Sequence, residues 1–177
     1  MNTMNNIKLI RPDFSYAQDL MLYRQEFLEA NDSLAGCGIL RECDTPEQWF
    51  ARVETTSDPA TCPAGLVPSW TFFAINCETN KLVGIIDIRH HIDHPVLGVW
   101  GGHIGYSVRP GERRKGYATQ MLQQVLPHCK TLGLSEVLVT CDVNNIASEK
   151  TILKNGGQFE KEVWNGDSWS KRYWIKL

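Results

Sequence analysis

The sequence predicts a mixed α/β domain on a largely antiparallel sheet. Three observations lead there. Apolar, β-rich runs at 69–78, 81–92 and 94–110 succeed one another with only turns between them. A helix–strand–helix pattern over 112–157 then interrupts the series. Last, the pair Asn165–Gly166 separates two closing β-rich runs, a hairpin signal. A meander, a βαβ-like unit and a terminal hairpin add up to a mixed sheet. At 177 residues the chain is read as one domain, 1–177, with room for a real core.

Each element has its own justification. "IKLIRP" (7–12) is a short first strand. In "DFSYAQDLMLYRQEFLEAND" (13–32), Leu20, Tyr23 and Phe27 recur at helical spacing, with Asp13 or Ser15 as cap. In "DTPEQWFARVET" (44–55), Asp44 or Thr45 caps a second helix, Pro46 opens it, and Trp49, Phe50 and Val53 share a face. Residues 57–68 hold Pro59, Pro63, Pro68 and Gly65 and form a loop. The runs 69–78 and 81–92 make a hairpin, and Pro110 ends the third run. Ala118, Met121, Leu122 and Val125 define a helix over 112–133 with Gly133 as its stop; Pro127 kinks it or begins a new turn. A buried strand (135–143), a helix ended by Gly156–Gly157 (145–157) and the strands 158–164 and 168–177 complete the order β-α-α-β-β-β-α-β-α-β-β.

Composition narrows the function. Apolar residues are 42%, charged residues 21%, and the formal net charge is -2. A global basic field for nucleic acid is missing, so an anion site has to be local. No apolar run approaches the ~20 residues of a membrane span, and the first residues lack the apolar core of a signal peptide. None of the six cysteines forms a CxxC pair, which argues against a zinc ribbon or a thioredoxin motif. Buried free thiols in a cytoplasmic protein are the expectation, with a disulfide in the Cys37–Cys62 region left open.

"SVRPGERRKGYAT" (107–119) concentrates positive charge at a strand-to-helix turn. A helix N-terminus offers unpaired N–H groups and a partial positive charge, and glycine lets an anion approach the backbone. "GERRKG" has the Gly-x4-Gly spacing of a nucleotide P-loop, but Tyr117 and Ala118 stand where Lys and Ser/Thr would hold terminal phosphates and Mg²⁺. A Rossmann fingerprint fails because the preceding strand belongs to a meander.

"RRKGYA" (113–118) resembles the Arg/Gln-x-x-Gly-x-Gly/Ala signature of the GNAT superfamily of acyl-CoA-dependent N-acetyltransferases. "HIGYSVRP" is similar to that family's fourth strand, and "NIASEKTILKNGG" to the helix after its fifth strand. The likeness is convincing over about 98–157 and extends to the element order of the whole chain. It implies a GNAT-like fold and acetyl-CoA as co-substrate. Backbone N–H groups of Arg113, Arg114, Lys115, Gly116, Tyr117, Ala118 and Thr119 would cradle the CoA pyrophosphate. The strand around Tyr106, Ser107 and Val108 would pair with the pantetheine arm. Asn145 and Ser148 would contact that arm or orient the adjacent turn.

The resemblance also implies direct attack of an amine on the thioester. The N–H of Ser107 or Val108 would polarise the carbonyl. His103 occupies the position where the family often has Glu and is the first choice for general base; the competing reading is a hydrogen-bonded wall histidine. The family's usual acid, a tyrosine, is replaced by Ile152, with Tyr106 and Tyr117 as substitutes. The acceptor would be a small-molecule or peptide amine, with no nucleic acid or membrane partner, no metal, and a homodimer compatible with the reading. Glu26, Glu29 and Asp32 could recognise a cationic amine, against the plainer reading of a solvated helix face. In "IRHHIDHP" (88–95), neighbouring histidines on a strand point to opposite faces, so a metal site is disfavoured; His90 or His91 would line the acceptor cleft. The alternative is an acyl-CoA-binding module without catalysis, motivated by Ile152. A nucleotide-binding protein using "GERRKG" is the other.

Overall fold

The computed structural model describes residues 5–177. Its element order is the expected one. Seven strands are β1 Ile7–Ile10, β2 Ser69–Asn76, β3 Leu82–Arg89, β4 Ile104–Val108, β5 Glu136–Asp142, β6 Gln158–Trp164 and β7 Trp169–Lys176. Four helices are α1 Ala17–Glu29, α2 Pro46–Ser57, α3 Tyr117–Thr131 and α4 Ile146–Lys154.

The strands form two antiparallel sheets, ordered β1-β2-β3-β4 and β5-β7-β6. β3 is apolar along almost its whole length because it is covered on both faces. One core, under α3 and α4, gathers Ile86, Ile88, Ile104, Met121, Leu122, Val139, Ile152 and Tyr173. The other, under α1 and α2, gathers Tyr23, Phe27, Leu40, Trp49, Phe73 and Ile85. There Trp49 stacks on Phe73 with ring centroids 5.5 Å apart.

The departures from expectation are local and have causes. Asp13 Oδ1 accepts the Ser15 N–H at 2.8 Å, so Asp13 caps a short 3₁₀ turn and α1 begins only at Ala17. The run 94–110 is not one strand. Residues Leu97–Gly101 coil into a wide helical turn, and Gly102, with φ 71°, redirects the chain into β4. His94 Nδ1 accepts the Val96 N–H at 3.1 Å and helps close that coil. Pro127 is accommodated inside α3, which continues to Thr131. All six cysteines are free thiols, so the Cys37–Cys62 region carries no disulfide. Among the described residues, no helix is long and apolar enough to cross a membrane.

Candidate functional site

The two sheets meet at one clasp. Within it, the His103 N–H donates to the Leu138 carbonyl at 2.8 Å, and the Leu138 N–H donates to His103 Nδ1 at 2.9 Å. Beyond it, β4 and β5 share no ladder. Hydrogen-bond alternation shows what lines the gap. Arg89 N–H donates to the His103 carbonyl and Arg109 N–H to the Val83 carbonyl. In an antiparallel ladder these bonds recur at every second residue. Ser107, paired with Ile85, therefore turns its main chain toward β3, while Ile104, Tyr106 and Val108 turn theirs into the gap. On β5, the Val143 N–H donates to the Trp169 carbonyl, so by the same alternation Thr140 faces the gap.

This alternation decides the carbonyl-polarising candidate. Val108 is available and Ser107 is not. The Ser107 hydroxyl is also engaged elsewhere: it lies 2.8 Å from the Tyr23 hydroxyl and 3.3 Å from Cys37 Sγ, in a buried cluster under β4. Burial pushes the Cys37 thiol up to about 12, so it is an inert packing group.

His103 does not have the free nitrogen a base requires. Its Nδ1 accepts a buried backbone N–H, which places the proton of the neutral ring on Nε2. Burial first, then Arg89 and His91, depresses its pKa to about 4. The expectation of a general base is corrected: the ring joins β4 to β5 and stays neutral.

Tyr106 and Ser148 are brought together. The Tyr106 hydroxyl lies 2.6 Å from Ser148 Oγ, linking β4 to the first turn of α4. Burial drives the Tyr106 phenol up to about 12. Asn145 Oδ1 accepts the Ser148 N–H at 3.1 Å and caps α4, so Asn145 orients the turn. Ile152 is wholly buried and contributes packing alone.

The turn into α3 carries the anion-binding geometry. Arg114 and Gly116 have φ of 63° and 80°. The N–H groups from Arg114 through Thr119 find no protein acceptor among the described residues. The side chains tell a different story from the raw charge count. Arg113 folds back onto Asp32 at 2.7 Å and onto the Val108 carbonyl at 3.1 Å. Lys115 pairs with Glu112 at 2.6 Å. Only Arg114 of the three lacks a carboxylate partner among the described residues. The Tyr117 ring is core: it is 5% exposed and its hydroxyl accepts from Asn76 Nδ2 at 2.8 Å.

The acidic residues of the early segment are likewise engaged. Glu26 and Asp19 each meet buried Arg109 at 2.7 Å. Glu29 accepts from Gln25, and Asp32 binds Arg113. Asp19, Glu26 and Asp32 are thus paired with arginines, while exposed Glu29 fits the plainer reading of a solvated helix face. A cleft of about 290 Å³ instead opens on the α1/α2 face of β3, lined by Thr71, Asp87, Arg89, Arg52, Ile39 and His94 among others. His90 and His91 do not line it; the His90 ring packs edge-on against Trp70, 5.0 Å between centroids. Sequence reasoning missed Asp87 and Arg89. Their signal was present: two charges at spacing two within an otherwise apolar strand must share a face.

The geometry has counterparts in known proteins. The family model described as the acetyltransferase (GNAT) domain matches residues 19–158, and the chain belongs to that family. An N-acetyltransferase of Bacillus subtilis (strain 168), YnaD, of uncharacterised function, is 29% identical over 95 residues, which are 51% of this chain. The match spans 56% of that relative, a little over half its length. The fold matches RimL, a ribosomal-protein alpha-N-acetyltransferase solved in complex with coenzyme A, with TM-score 0.71 at 15% identity over 98% of this chain and 95% of that one. It also matches a chimera of the spermidine N-acetyltransferase SpeG from Vibrio cholerae, with TM-score 0.63 at 14% identity over 97% and 96% of the two chains.

Proposed function

We propose that this chain transfers the acetyl group of acetyl-CoA to a primary amine of a small molecule or peptide, within a complex holding both substrates. The observation that carries this reading is the parted β4–β5 pair, with the Tyr106 and Val108 main chains facing the gap, leading directly to the unpaired N–H groups of Arg114 to Thr119. One tract of backbone thus offers hydrogen bonds to an extended amide chain and then to a phosphate.

The residues fit the co-substrate. Gly116 has no Cβ to shield the α3 N-terminus, and the N–H groups around it point to an anion. Acetyl-CoA supplies the activated carbonyl. The Val108 N–H polarises that carbonyl as negative charge develops on its oxygen. Attack forms the C–N bond, the C–S bond breaks, and one proton moves from the nitrogen to the sulfur. The Tyr106–Ser148 hydroxyl pair takes part in that transfer. Direct donation from a phenol near 12 to a thiolate of ordinary pKa ~8.5 is uphill by roughly 5 kcal/mol. The pair therefore hydrogen-bonds the sulfur and relays the proton that the nitrogen, newly acidic after attack, releases.

The test is free-thiol release from acetyl-CoA across a panel of amines, with calorimetry of CoA binding in parallel. CoA binding without thiol release for any amine would leave only a non-catalytic acyl-CoA-binding module. ATP binding tighter than CoA would overturn the reading altogether.

A further inference from the structure

The wide turn Leu97–Gly101 is gripped by side chains from three strands. Its own N–H groups are satisfied locally: those of Gly98 through Gly102 donate to the carbonyls of His94, Val96 and Leu97. The carbonyls that follow are held from outside. Those of Gly98 and Val99 accept from Arg172 Nη1 of β7 at 2.7 and 2.6 Å. That of Trp100 accepts from Thr140 Oγ1 of β5 at 2.6 Å. Those of Gly101 and Gly102 accept from Arg89 Nη1 of β3, each at 3.3 Å. Five consecutive carbonyls, the negative end of a helical turn, thus meet two guanidinium groups and a hydroxyl.

These grips tie both sheets to one turn. Thr140 and Arg172 are ladder partners. Lys171 and Tyr173, on either side of Arg172, both bond Glu149 of α4, so Arg172 and Thr140 face away from α4. Arg172 is 7% exposed, and its Nε meets Glu160 Oε2 of β6 at 2.6 Å, which fixes the guanidinium. From Gly102 the turn runs straight into the His103–Leu138 clasp. A Cβ on Gly102 would come within 2.7 Å of the Leu138 carbonyl, so the chain lies directly against β5 there. A clasp at one residue pair fixes how close β4 and β5 come, but not the angle between them. Both strands carry main-chain groups that face the gap, and such groups pair wherever geometry allows. The anchors on β3, β5 and β7 supply the missing angle.

We propose that Arg172 and Thr140 are positioning residues for the co-substrate: through the Leu97–Gly101 turn they set the angle at which β4 parts from β5, and so the width of the gap that receives the pantetheine arm. This rests on the acetyl-CoA reading and adds to it the side chains that hold the site to shape. Both direct their hydrogen bonds to the turn and, for Arg172, to Glu160, so they act through the backbone of β4. The N–H groups of Arg114 to Thr119 lie past the other end of β4, away from these anchors. Loosening the turn therefore disturbs the path of the arm and leaves the phosphate seat intact.

The experiment is calorimetric titration of two ligands that differ only in the pantetheine arm, dephospho-CoA and ADP. In the wild type dephospho-CoA binds more tightly, because the arm adds hydrogen bonds in the gap. Arg172→Gln keeps the affinity for ADP and weakens dephospho-CoA about tenfold. Arg172→Lys, which can still donate to the turn, recovers part of that loss. Thr140→Val removes one hydroxyl at nearly constant shape and weakens dephospho-CoA about threefold, which keeps the test open where Arg172→Gln does not fold. Phe73→Leu, which loosens the core under α1 and α2, leaves the ratio of the two affinities as in the wild type. An unchanged ratio in the folded Arg172 and Thr140 variants, or an equal fall for both ligands, overturns the proposal. Equal affinities in the wild type overturn the reading of the gap itself, and this proposal with it. Neither ligand carries an acetyl group, so a failure of acetyl transfer appears separately, as no thiol release from acetyl-CoA with any amine.

Discussion

His103 and Leu138 exchange two hydrogen bonds, Leu138 N–H to Nδ1 at 2.9 Å and His103 N–H to the Leu138 carbonyl at 2.8 Å. Protonating Nδ1 destroys the first. The folded protein holds this imidazole near 4, while an unfolded chain releases it to about 6.5. Between those values the unfolded state binds more protons. The contribution is therefore fully present above about pH 6.5 and is lost as pH falls toward 4, by up to roughly 3 kcal/mol. Denaturant midpoints measured from pH 7.5 to 4.5 should decline in the wild type. His103→Asn, which offers an oxygen near the Nδ1 position but does not titrate, should flatten that decline. Parallel curves for the two proteins would refute the clasp.

The same geometry removes His103 from proton transfer. His103→Asn should leave the shape of the pH–rate profile for acetyl transfer unchanged, because the ring has no accepting nitrogen to lose. Disappearance of one limb of that profile restores His103 as the base.

Arg109 is a structural counterpart on the other side of β4. It is 3% exposed and binds Asp19 and Glu26 of α1 while its N–H holds β3. Arg109→Met leaves two carboxylates facing an apolar side chain. Removing one partner of a buried ion pair typically costs about 3 kcal/mol or more. Chemical denaturation should show a loss of that order, and a loss below about 1 kcal/mol would show that the carboxylates are rehydrated freely.

These cases show what the sequence could and could not carry. The element order followed from periodicity and turn chemistry alone, since strands at spacing two and helices at 3.6 are local patterns. The backbone features of the anion turn were equally local: Gly116 before an apolar helix is visible in the string. Partner choice was not. Arg113, Arg114 and Lys115 look alike in sequence, yet Asp32 neutralises Arg113 from 81 positions away, while Glu112, three residues before Lys115 in the same turn, neutralises that lysine. His103 looked like a base because its Leu138 partner lies 35 positions away. Ser107 and Val108 were interchangeable candidates until ladder alternation separated them.

Gly116 tests the backbone account of phosphate binding. Its φ of 80° is costly for any residue with a Cβ, and a methyl there meets only the Gln120 side chain at 4.0 Å. Gly116→Ala should therefore cost about 1 kcal/mol in stability from conformation. Its effect on CoA affinity should be larger, about tenfold, because the methyl shields the N–H groups that receive the phosphate. Lys115→Ala should weaken CoA less than about threefold, since that ammonium is already paired with Glu112. A reversed ranking, with Lys115 dominant, transfers the binding from main chain to side-chain charge.

The Tyr106–Ser148 pair is the remaining test, and its readout has to separate chemistry from packing. The two hydroxyls are 2.6 Å apart, and Ser148 also begins α4 through its N–H on Asn145. Ser148→Ala keeps that N–H and the cap and removes only the hydroxyl. If the pair hydrogen-bonds the departing sulfur and relays a proton, kcat should fall by about 10² while the KM for acetyl-CoA moves little. Tyr106→Phe should fall less, because Ser148 still reaches the sulfur. The double variant should cost little more than Ser148→Ala, as expected for groups acting in series. A thioester with a better leaving group than CoA should recover the lost rate in Ser148→Ala, since a thiolate of lower pKa needs less help. Losses that are additive, or that leaving-group ability does not rescue, assign the pair to holding β4 against α4 and leave the proton to solvent.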